Sequence, residues 1–208
     1  MRTLQPMLRC EALLAFLTVH VIHCAPCLES RPVPVKLFND ASVSRKLLHS
    51  AAGDAAWILK SACVELLWVP CSPVSRSNMA PCTAPAGALE LHILSTPSTN
   101  DFRDDTMGIA ILRPDPGDHA AVFVSRVRET ATRNPGLADV KDIMGAVMAH
   151  EIGHLLLHSN SHSIAGIMSA DLRQADLIRA SQRQLIFAPE ERDAIQRNLN
   201  RGKAPGLR

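Results

Sequence analysis

The sequence of 208 residues contains no tyrosine, and phenylalanine and tryptophan together make up only 3% of it. No phenol is therefore available to any reaction the chain carries out. An excess of one charge is missing too: 22 lysines and arginines against 20 acidic residues leave a formal net charge of +2. With no basic run and no aromatics interleaved with one, nucleic acid is not expected as a partner. There is no internal repeat and no low-complexity segment. No apolar stretch reaches the roughly 20 residues needed to span a bilayer. What remains has the size of one ordinary domain with a core of its own.

The N-terminus has the layout of an export signal. Arg2 and Arg9 supply positive charge, and residues 12–22 (ALLAFLTVHVI) are an apolar run of the right length. Residues 1–25 are accordingly read as a signal peptide, with an uncleaved anchor or a plain apolar helix as the rival readings. Residues 26–208 then form a single domain exported to the extracellular space or periplasm, with no stable membrane association after cleavage. That compartment permits disulfides. Cys71 and Cys82 flank a proline- and serine-rich loop, and a bridge closing it would contribute about 2–3 kcal/mol. Two free or buried thiols are the alternative. Cys63 reads as a small buried apolar residue, and Cys27 is left unassigned.

Periodicity orders the rest. Residues 33–38 alternate like a strand, and from Ser44 an apolar stripe at helical spacing (Leu47, Leu48, Ala51, Ala55, Ile58, Leu59) predicts a helix to about Ala62. Short apolar or alternating runs at 64–69, 88–94, 108–112 and 120–124 predict four more strands. Residues 125–131 allow a helical turn. Asp139 is a plausible cap for a long proline-free helix from Val140 to about His158, in which Gly145 and Gly153 signal close backbone contact. Residues 172–180 look helical, and a last helix starts at Pro189. The economical fold is α+β: a twisted mixed sheet of about five strands, a crossover helix and an apolar helix bearing the histidines described next. Residues 33–158 form its upper part, and residues 159–208 a small, mostly helical lower part.

Four of the nine histidines fall within residues 150–163. His150 and His154, four apart on a helix, can aim two ring nitrogens at one ion, while Glu151 projects beside it. This is the His-Glu-x-x-His zinc pattern, in which the glutamate is the general base on an activated water. A closed structural zinc site normally needs cysteine, and none lies between His150 and His162. One catalytic Zn2+ is the expected cofactor.

The run from His150 to Met168 resembles the metzincin zinc peptidases, with a matrixin-like wording: His150-Glu151-Ile152-Gly153-His154, then His162-Ser163, then Ile167-Met168. It is also similar to small exported bacterial metallopeptidases with seven residues between the second and third histidines. The resemblance implies a metzincin-like sheet and crossover helix above a cleft, a methionine turn at Met168 and a peptide or protein substrate. Leu157 stands where the signature has glycine, Asn160 stands where it has its third histidine, and no proline follows Met168 by two residues. The third ligand is sought among His158, Asn160 and His162. At 1.5 Å rise per residue His158 would stand about 12 Å along the axis from His150, too far to share an ion. Asn160 is then expected as a left-handed hinge and His162 as the ligand. His158 is a possible secondary residue that helps the transition-state charge in the absence of tyrosine. The functional expectation is a secreted zinc metalloendopeptidase. A zinc hydrolase of a non-peptide amide or ester, and a non-catalytic metal-binding domain, are the alternatives.

Overall fold

A computed structural model of the chain describes residues 32–71, 82–85, 87–99, 102–113 and 118–202. The expected signal peptide and Cys27 lie outside them. β1 (Val33–Phe38) leads to α1 (Arg45–Lys60), whose first turn is closed by Ser44 Oγ accepting the Leu47 N–H at 3.3 Å. β2 (Leu66–Cys71) starts two residues later than its apolar run suggests. The reason is local: Cys63 is left-handed (φ 57) and the Val64 N–H still donates to Leu59 O at 3.1 Å, so Val64 belongs to the end of α1. Pro70 is tolerated inside β2 because the strand lies at the edge of the sheet.

β3 (Leu89–Leu94), β4 (Gly108–Ile111) and β5 (His119–Phe123) complete a five-stranded sheet in the order β2-β1-β3-β5-β4. The first four neighbours in that order run parallel, and β4 runs antiparallel to β5 with Gly108 opposite Val122. In this register Leu91 lies between Leu37 of β1 and Ala120 of β5. Leu89, Leu91 and Ile93 point to one face and are fully buried, as alternation in a half-covered sheet requires.

α2 (Val124–Arg133) follows β5 directly and is a full helix, where the sequence suggested only a turn. α3 (Val140–Leu157) keeps the expected cap: the Asp139 N–H donates to Asp142 Oδ2 at 2.9 Å. The same device, a carboxylate three residues in that accepts the cap N–H, opens α4 (Gln174–Ser181) through Asp176 and α5 (Pro189–Asn200) through Glu191. Every residue of α3 from Asp142 to Leu156 is buried except His150, which is half-buried. A helix apolar all round is a core helix, and α3 packs on α1 so closely that a Cβ on Gly145 would sit 2.8 Å from Ala51 O. One apolar core cluster extends from Val33 to Leu199. No helix among the described residues is long and apolar enough to cross a membrane.

Cys71 and Cys82 form a disulfide with Cα atoms 5.1 Å apart. Cys63 is also disulfide-bonded, which corrects its reading as a plain apolar side chain: in the left-handed turn past α1 it is only half-buried.

Candidate metal centre and cleft

His150 and His154 stand one turn apart on α3. His150 Nδ1 lies 2.7 Å from the Ile167 carbonyl, and His154 Nδ1 lies 2.7 Å from the Ser159 carbonyl. A carbonyl only accepts, so both rings carry their proton on Nδ1 and present a bare lone pair at Nε2. Those two Nε2 atoms are 2.9 Å apart. Burial holds the pKa of His150 down at about 4, with the neighbouring His154 adding to the effect, and burial lowers His154 as well. Both rings are therefore neutral near pH 7, and two acceptors face each other with no proton between them. A cation resolves this contact. Two nitrogens on a tetrahedral zinc ion, at 2.0–2.1 Å each, stand about 3.3 Å apart.

His162 brings the third nitrogen. Its ligand atom and those of His150 and His154 all lie within 4.8 Å of one another, and its ring centroid is 4.9 Å from that of His154. The chain reaches this point by a sharp stop after α3. His158 is left-handed (φ 48, ψ 46), its N–H donates to Leu155 O at 3.3 Å, and the Ser159 N–H donates to His154 O at 3.2 Å. This is a Schellman closure. It corrects the expected hinge: the left-handed residue is His158, not Asn160, because the helix runs one residue past the position of the signature glycine before it turns. The same turn directs the His158 ring to Asp118, 3.4 Å away. His158 is not among the residues lining the cleft, so the position of its ring lends no support to a part in stabilising charge there. Asn160 does line it.

Beyond His162 the chain folds back under α3. The Ser163 N–H donates to Met168 O at 2.8 Å, and a tight turn is closed by the Ser169 N–H on Gly166 O at 3.2 Å, with Gly166 at φ +86. Met168, 1% exposed, sits in that turn. A Cβ on Gly153 would meet its Sδ at 2.6 Å and Phe187 Cε1 at 2.9 Å, so the sulfur packs against the helix backbone next to His154. The close contact expected at Gly153 is thus a methionine beneath the two histidines.

A cleft of about 770 Å³ opens over the histidines. Its lining includes Met107–Ala110 of the β4 stretch, residues 169–172, Thr130, Arg133 and Asn134 from the end of α2, and Val147 of α3. Arg103 and Asp171 both line the cleft and lie 3.5 Å apart. Glu151 lines the cleft although it is only 5% exposed. Its carboxyl makes no hydrogen bond to any described residue, and burial raises its pKa to about 8. A divalent cation beside it acts in the opposite direction. Sequence reasoning singled out the three histidines and Glu151, and all four line one cleft. It missed the Ile167 and Ser159 carbonyls, which fix the tautomers, because backbone acceptors leave no mark in side-chain spacing. It also missed that Gly108 lines the cleft, since its signal is just a glycine inside a strand pattern.

No protein-family model and no curated protein sequence matches the chain. Among solved structures, archaemetzincin from Methanopyrus kandleri superposes with a TM-score of 0.51 at 18% identity, covering 81% of this chain and 96% of that one. Metalloproteinase-II from Bacteroides fragilis superposes with a TM-score of 0.46 at 12% identity, covering 80% of this chain and 52% of that one. The five-stranded mixed sheet and its helices are similar in fold to archaemetzincin.

Proposed function

We propose that this chain is an exported zinc-dependent peptidase. The reading is carried by the contact between His150 and His154, whose Nε2 lone pairs face each other at 2.9 Å while both Nδ1 protons are committed to backbone carbonyls. With His162 they make three imidazole donors without cysteine, a set that suits zinc and leaves a coordination position open. His150, His154 and His162 hold the ion, and Met168 supports the helix beneath them. When bound, zinc polarises the carbonyl of a substrate and lowers the pKa of water to near neutrality.

Glu151 is the general base. It takes a proton from the attacking water and hands it to the departing amine, a shuttle suited to a carboxyl that makes no hydrogen bond to any described residue. The substrate is an extended peptide or protein segment. β4 is the last strand of the sheet and walls the cleft, and an edge strand offers main-chain groups to which such a segment adds as a further strand. Export is supported by the apolar run at residues 12–22 and by the Cys71–Cys82 disulfide.

The test is digestion of a peptide library with and without a zinc chelator, beside Glu151→Ala. Chelator-sensitive cleavage by the wild type, none by Glu151→Ala, and zinc retained by that variant are expected. Hydrolysis of simple esters or amides with no peptide cleaved would move the reading to a non-peptide hydrolase. Bound zinc with no hydrolysis at all would leave a metal-binding domain.

A further inference from the structure

Gly108 opens β4 and has no left-handed backbone, so conformational freedom does not account for a glycine there. Inside a strand, glycine weakens pairing and packs nothing. What the position requires is room. A Cβ built on Gly108 would lie 2.5 Å from Glu151 Oε1, 2.8 Å from Glu151 Cγ and 2.9 Å from Glu151 Cδ. All three nearest atoms belong to one side chain, and carbon pairs in normal contact stand about 3.5–4.0 Å apart. The space of the missing side chain is filled by the carboxyl of Glu151.

Cγ is among the three, and it is bonded to Cβ. A methyl at 108 is therefore not avoided by turning the far end of a flexible chain. Either the first torsion of Glu151 changes or α3 moves, and α3 is fixed against α1 at Gly145 and against Met168 at Gly153. No hydrogen bond to a described residue orients the carboxyl, and the packing at Gly108 sets its direction. We infer that Gly108 is a positioning residue for Glu151: the bare backbone at the head of β4 is the seat that aims the carboxylate into the cleft. The assignment rests on the peptidase reading for its catalytic consequence, but not for the contact itself.

Gly108→Ala and Glu151→Ala, singly and together, form the test. In the metal-free protein Gly108→Ala lowers the melting temperature by several degrees, while in the Glu151→Ala background the same change is neutral or stabilising, a non-additivity characteristic of residues in contact. In the zinc-loaded protein Gly108→Ala retains one zinc per chain and a KM near the wild-type value. Its kcat falls on the order of 100-fold, the scale of a base displaced by about 1 Å. Equal destabilisation in both backgrounds, or an unchanged kcat, overturns the inference. If Gly108→Ala does not fold, recovery of folding by the double variant supports it, and failure of both overturns it. Full activity in Glu151→Ala would instead defeat the peptidase reading, and the melting cycle would still decide the contact.

Discussion

Ser163 Oγ donates a hydrogen bond of 2.5 Å to Oε1 of Glu191, whose other oxygen accepts the Ala188 N–H at 2.8 Å. The first turn of α5 is thereby fastened to the residue next to His162. Glu191 is 8% exposed, so removal of the hydroxyl leaves a buried carboxylate oxygen short of a partner, at a cost of about 1–3 kcal/mol. Ser163→Ala is expected to lower the melting temperature and to weaken zinc binding up to about 10-fold if half of that cost falls on the seating of His162. Calorimetric melting and zinc titration against a competing chelator check both. Unchanged zinc affinity in a destabilised Ser163→Ala would confine the bond to holding α5.

His158 pays for its left-handed backbone, which costs a non-glycine residue about 1–2 kcal/mol. Its contact with Asp118 is half exposed on the histidine side and worth at most about 1 kcal/mol. His158→Gly is therefore expected to hold or raise stability, whereas His158→Ala keeps the strain, loses the contact and falls below the wild type. Both should bind zinc and turn over substrate normally. A loss of turnover in both variants would show that the ring reaches the cleft after all.

The metal-free protein should lose stability as pH rises above neutrality. Glu151 has its pKa raised by burial from 4.5 to about 8, so between these values the unfolded state releases its proton first and rising pH favours unfolding. His150 works from the other side: lowered from 6.5 to about 4, it binds its proton more readily when unfolded, and stability is lost as pH falls through that window. Between pH 6.5 and 8 the effect of the glutamate is no longer opposed by that of His150, and melting temperature declines. Glu151→Gln should flatten the decline, as melts of chelator-stripped protein at several pH values will reveal. An identical slope in the variant would assign the decline to another group.

The long helix was legible from Asp139 to its end because a cap, an unbroken apolar run and the absence of proline all point the same way. Length removed His158 from the candidates for the third ligand, since a continuing helix carries it out of reach, and the choice of His162 over Asn160 rested on the hinge argument. The hinge was not legible in the same way. Asparagine's tolerance of the left-handed region is an average preference, and here the closure of α3 on Leu155 and His154 forces it onto His158. The two-residue shift of β2 has a similar origin, in the closing bond from Val64 to Leu59. Gly108 was beyond reach because its neighbour is brought to it only by the packing of α3 on the sheet.

Zinc titration of chelator-stripped protein, with peptide hydrolysis followed in the same samples, tests the central claim most directly. Wild type should bind one zinc per chain, and activity should rise in step with occupancy. His162→Ala should lose most of the bound metal, while Glu151→Ala binds it fully and remains inactive. Peptide hydrolysis by the metal-free protein, or full zinc occupancy in His162→Ala, would contradict the account.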